Sequence, residues 1–142
     1  MTFNQILLIF HLLAMALGVG ITFANIVNFR LVKSQTGDVV KGLNMQRMAT
    51  YRYTDIAFVT ILATGGLMLA NLGGNVGVRP WFHVKMAAVL IYVLGYVAAR
   101  YSMIQLQNGG DPALVKRVKL FAHVAITGAV LAVVFAVLAF GG

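Results

Sequence analysis

Cysteine is absent from the 142 residues, which removes disulfides, iron–sulfur clusters and thiolate chemistry from consideration. Only three residues are acidic, and no pair of carboxylates lies inside an apolar run to couple ion movement. Charged residues make up 10% of the chain, too few to hide a soluble catalytic domain, and the length allows one domain, residues 1–142. The apolar–polar alternation of a membrane β-strand is missing. So is a basic segment before the first apolar run, which is also too long for the core of a signal peptide. That run is expected to be a retained first helix.

What the chain does have is oil. Hydrophobic residues reach 61%, gathered into four runs at about 4–29, 54–72, 81–106 and 119–140. A helix needs about 20 apolar residues to cross a hydrocarbon core of about 30 Å. Helices also satisfy their own backbone where no water can. The expectation is an all-α integral membrane protein, a bundle of four transmembrane helices at about 4–29, 54–72, 81–106 and 112–140. Short second and third loops make neighbours antiparallel, up and down. The longest loop, about 30–53, has room for a short interfacial helix and no core of its own.

The net charge of +8 is explained by where it falls. Arg30, Lys33, Lys41, Arg47 and Arg52 lie in or beside the first loop, and Arg100, Lys116, Arg117 and Lys119 in or beside the third. Arg79 alone occupies the second. Excess Lys and Arg marks cytoplasmic loops, so both termini are expected on the opposite side. Topology and anionic lipid account for the charge, and nucleic acid is not an expected partner.

Turn chemistry marks the helix ends. Gly37-Asp38 interrupts the first loop, 71–75 closes the second helix, and Arg79-Pro80-Trp81 opens the third with Pro in a first turn and Trp as an interfacial anchor. Asn108-Gly109-Gly110 ends that helix, and Asp111-Pro112 reads as an N-cap with Pro at the next position. Small residues recur at four-residue spacing in Ala14/Gly18, Gly20/Ala24, Gly66/Ala70, Gly95/Ala99 and Gly128/Ala132/Ala136. Such spacing lets helix backbones approach closely in lipid, and it is also common in any apolar helix.

Ionisable residues in a bilayer are costly and face other helices or a cavity. The candidates are His11, Asp55, His83, Lys85 and His123. His11 lies about 9 Å into the first helix. It shares a heptad stripe with Asn4, Gly18 and Asn25, beside Met15 and Thr22, which implies an inward face. It can serve as a ligand or simply hydrogen-bond to a neighbouring helix. His83 and Lys85 project about 200° apart, so both cannot point straight inward. Lys85 shares a stripe with Tyr92 and Tyr96 and is the expected inward residue, or else snorkels to the headgroups. His123 sits near the other membrane face, about 15 Å from His11 in depth, too far to share a metal whose bond to nitrogen is about 2 Å. Asp55 follows Arg52 by three residues and suits a local ion pair at a helix start. Seven methionines admit copper(I), yet only Met45 and Met48 have Met-x-x-Met spacing, and they fall in the first loop.

The stretch Trp81-Phe82-His83-Val84-Lys85, running into an apolar helix with Tyr96, resembles the third-helix signature of the HemJ family. His11, closing Ile6-Leu7-Leu8-Ile9-Phe10, resembles that family's first-helix histidine, and 118–140 its closing helix. The segment from Tyr53-Thr54-Asp55 to Thr64-Gly65-Gly66-Leu67 is similar to CopD-like membrane proteins. The chain departs from the HemJ pattern at 25–33 and at Lys116-Arg117-Val118-Lys119. The resemblance implies a four-helix protein of the bacterial plasma membrane that acts as a protoporphyrinogen IX oxidase with b-type haem. It implies His11 as an iron ligand, alone or with His83 as a second axial ligand, Lys85 on a porphyrin carboxylate, Tyr92 and Tyr96 lining the cavity, and quinone or a respiratory chain as electron acceptor. His11 and Lys85 are expected to converge near the non-cytoplasmic surface. Two other classes fit the residues: a non-catalytic subunit of a respiratory or photosynthetic complex, or a CopD-like copper handler. The chain is expected to form a homo-oligomer or to be a subunit of a membrane complex.

Overall fold

The computed structural model describes residues 1–71 and 80–140, with side chains as far as Leu138. Four helices account for nearly all of them: α1 (Phe3–Val32), α2 (Asp38–Asn71), α3 (Pro80–Gln107) and α4 (Leu114–Phe140). All four are long and apolar enough to cross a membrane, and no strand occurs among the described residues. The protein is an all-α, multi-pass membrane protein. The expected breaks at Gly73-Gly74-Asn75 and Arg79 lie outside the described residues.

Burial is inverted relative to a protein in water. The covered positions are largely small or polar, among them Ala14, Gly18, Ala57, Thr64, Ala88, Gly95, Ser102, Ala125 and Gly128. Large apolar side chains such as Phe10, Leu13, Phe23, Val59, Leu94 and Val137 point outward. Lipid tails are as apolar as leucine, so burying leucine gains little there, and close packing and hydrogen bonds hold the helices instead.

The chain divides into two compact units, Met1–Val76 and Gly77–Gly142, each an antiparallel helical hairpin. In the first, α1 starts on a capping box in which Thr2 and Gln5 satisfy each other's backbone N–H groups. Polar rungs then join α1 to α2. Asn71 Nδ2 donates to Asn4 Oδ1 at 3.0 Å, His11 meets Thr64 at 2.8 Å, and Thr50 donates to Asn25 at 3.2 Å. Positions 4, 11 and 25 on α1 thus face 71, 64 and 50 on α2, and the same register sets buried Gly18 opposite buried Ala57. The heptad stripe read from the sequence is the face that packs on α2.

In the second unit, backbone meets backbone. A Cβ on Gly95 would stand 2.8 Å from the Ala125 amide nitrogen, and one on Gly128 2.6 Å from that of Tyr92. These are the expected small-residue contacts at Gly95 and Gly128. Trp81 stacks on Phe135 at 6.0 Å. Gly109, at φ +83°, ends α3 in a Schellman turn: Gly110 N–H reaches Gln105 C=O and Gly109 N–H reaches Leu106 C=O. Asp111 then caps the following turn by accepting from Ala113 N–H at 2.9 Å, and regular helix begins at Leu114 rather than at 112.

One expectation changes. The long first loop is only a short turn around Gly37 (φ +64°), because α2 already begins at Asp38. Its polar first half is ordered by contact with the end of α1, where Asn28 Nδ2 donates to Leu43 C=O at 3.0 Å and Arg47 lies over the Phe29 ring at 4.1 Å. With 34 residues, α2 is about 51 Å long at 1.5 Å per residue, more than a hydrocarbon core requires.

Candidate functional site

His11 is half-buried in the seam between α1 and α2. Its Nδ1 lies 2.8 Å from Thr64 Oγ1, and that oxygen lies 2.6 Å from the Thr60 carbonyl. A threonine hydroxyl has one hydrogen, and a carbonyl can only accept. The Thr64 hydrogen therefore goes to Thr60, and His11 Nδ1–H donates to Thr64. In the neutral ring this puts the proton on Nδ1. This is the arrangement by which a metal-binding imidazole is held in one tautomer and orientation. Gly65 leaves the ring space, since a Cβ there would come within 3.2 Å of His11 Cε1. Heptad spacing placed His11 on the correct face, but its partners could not be read from α1 alone.

On α3, His83 is exposed and Lys85 half-buried, the order expected of residues about 200° apart. The His83 ring meets Phe82 edge-on at 6.1 Å. Tyr92 is buried, 9% exposed, against Gly128, and its ring lies 6.3 Å from Tyr96. Lys85, Tyr92 and Tyr96 thus follow one stripe of α3, as their spacing indicated.

His123 Nδ1 donates to the Lys119 carbonyl at 2.7 Å, which also fixes its neutral tautomer, and Thr127 donates to the His123 carbonyl. Asp55 is half-buried and Arg52 exposed. Met45 and Met48 stand exposed on α2. No group of three or more His, Cys, Asp or Glu side chains gathers among the described residues.

Sequence reasoning passed over Arg47 by counting it with the loop charges. It is 7% exposed and donates through one Nη to Asn44 Oδ1 at 2.8 Å. The available signal was the spacing of Asn44, Arg47 and Thr50 opposite Asn25 and Asn28, a polar cluster at helical intervals. No family model, curated protein or solved structure matches this chain.

Proposed function

We propose that this is a membrane redox protein that holds b-type haem on His11, of the kind represented by HemJ-type protoporphyrinogen IX oxidases. The observation that carries the reading is the His11–Thr64–Thr60 relay, which holds the imidazole through Nδ1 in one orientation. Imidazole held this way is a common haem ligand, and its hydrogen bond tunes the iron. His11 would hold the haem alone or together with His83. When bound, haem would supply one-electron chemistry. The chain's own part is to orient His11, to offer the Lys85 ammonium to a porphyrin carboxylate as a point charge, and to line the substrate's surroundings with Tyr92 and Tyr96. Electrons taken from the porphyrinogen would pass to a quinone or respiratory chain. The distribution of Lys and Arg supports an orientation with both termini on the non-cytoplasmic side, and the resemblance to HemJ supports the bacterial plasma membrane as its location.

The deciding measurement is an absorption spectrum of the detergent-purified protein, oxidised and then dithionite-reduced. The expected result is a Soret band with sharp bands on reduction, lost in His11→Ala and kept in His123→Ala. An unchanged spectrum in His11→Ala would reject His11 as the ligand.

One observation favours a second reading, a non-catalytic subunit of a respiratory or photosynthetic complex. Gly20/Ala24 and Gly66/Ala70 are exposed, and nothing lies within 4 Å of a Cβ built on Gly20 or Gly66. Such faces suit close docking by further helices in lipid. A colourless protein that copurifies with a larger complex is the outcome this reading expects. Copper handling has less behind it, because Met45 and Met48 sit on an exposed stretch of α2.

A further inference from the structure

At the end of the first hairpin, two buried polar atoms lack partners among the described residues: the acceptor Asn28 Oδ1 and the donor Arg47 Nε. Both side chains are more than nine-tenths buried, at 5% and 7% exposure. They belong to one cluster, since Asn28 donates to Leu43 C=O one turn before Arg47, and the guanidinium lies over Phe29, the neighbour of Asn28. No carboxylate pairs with Arg47 among the described residues; its polar neighbours are the neutral Asn44, which accepts from one Nη, and the Tyr51 phenol one turn on. A buried guanidinium without a counter-charge is costly, and so is each unpaired polar atom.

Depth indicates what could relieve that cost. Asn28 lies 24 residues beyond Asn4, roughly 36 Å along α1, which is just past a hydrocarbon core of about 30 Å and level with lipid phosphates. Exposed Arg30, Lys33 and Lys41 surround this end of the hairpin and draw anionic groups to it. We propose that Arg47, Asn28 and Phe29 form a seat for the phosphodiester of a membrane lipid whose headgroup carries a hydrogen-bond donor. Arg47 turns on its single bonds to offer Nε–H with one Nη–H to the phosphate oxygens, the fork by which guanidinium holds phosphate. Asn28 Oδ1 accepts from a headgroup hydroxyl or ammonium. The Phe29 ring supports the cation. A water molecule could satisfy the two atoms but would leave the charge unbalanced. This site is separate from His11 and stands or falls independently of the haem reading.

The test uses the full chain in detergent, loaded in turn with phosphatidylglycerol, phosphatidylethanolamine or phosphatidylcholine, with retained lipid counted by native mass spectrometry. All three carry the phosphodiester, but phosphatidylcholine has no headgroup donor. The first two should be retained up to about tenfold better than phosphatidylcholine, near the upper worth of one hydrogen bond. Asn28→Ala should bring phosphatidylethanolamine down to the phosphatidylcholine level, and Arg47→Gln should lower retention of all three. Arg47→Lys, which keeps the charge without the fork, should fall between. Equal retention of the three lipids by the unaltered protein would overturn the proposal without relying on any variant. Retention of none, meaning water alone serves the two atoms, would do the same. Displacement of lipid by millimolar inorganic phosphate would also overturn it, by assigning the site to a free anion.

Discussion

Helices α1 and α2 are joined by a ladder of side-chain hydrogen bonds, whereas α3 and α4 bring backbone against backbone at two glycines. In the first hairpin the rungs at Asn4, His11 and Asn25 each engage a polar residue of α2. In the second, Gly95 and Gly128 bring main chain against main chain with no space for a methyl group. The two solutions differ in what they tolerate. Hydrogen bonds between membrane helices average about 0.6 kcal/mol, because the separated helices find other partners. A glycine contact has no substitute when the atoms it meets are backbone. The difference also divides the labour: polar rungs orient imidazole and hydroxyl groups, and glycine contacts fix helix spacing without offering any.

The largest effect should come from breaking the glycine contact. Gly128→Leu places side chain where the Tyr92 amide nitrogen stands 2.6 Å from the new Cβ. The helices must move apart, at a cost of about 3 kcal/mol. Gly20→Leu, which adds the same side chain in open space, should stay within about 0.5 kcal/mol of the parent. Reversible unfolding in mixed micelles with rising dodecyl sulfate measures both. Similar midpoints for the two variants would show that close approach does not govern the second hairpin.

The His11–Thr64 rung comes next. In a double-mutant cycle of His11→Ala and Thr64→Val, the coupling should be about 1 kcal/mol, toward the upper end for membrane hydrogen bonds. The same Thr64→Val protein carries a second readout. Without its acceptor, the Nδ1–H no longer donates and the imidazole becomes a weaker electron donor, so any haem it ligates should shift its reduction potential while His123→Ala leaves it unmoved. Zero coupling would mean that Thr64 does not hold the ring.

Much of this was legible in the chain, and the rest was hidden for physical reasons. Apolar run length gave four spanning helices, and the heptad from Asn4 to Asn25 gave the face of α1 that packs. Gly109 and Asp111 announced a helix end and a cap through turn chemistry that is local. The start of α2 was not local. Residues 38–53 are polar enough to read as loop, and they are helical because Asn28 and Phe29, distant in sequence, supply partners for Leu43 and Arg47. For the same reason Arg47 passed for a surface charge, and Thr64 drew no attention as the residue that sets the His11 tautomer. A periodic pattern indicates which side of a helix faces inward, but not what it meets there.

The smallest effect tests whether burial ranks the rungs of the first hairpin. Asn4 and Asn71 bond at 3.0 Å with both side chains exposed, so water or headgroups replace the lost partner at once. Asn25 and Thr50 are half-buried and less readily served. Asn4→Ala should therefore cost below about 0.3 kcal/mol, and Asn25→Ala about 1 kcal/mol, in the same unfolding assay. If the two cost the same, the outer rung is shielded as well as the inner one, and the hydrocarbon layer reaches closer to Asn4 than an exposed pair allows. An order reversed from this would place the weak end of the hairpin at its Gly37 turn rather than at its open end.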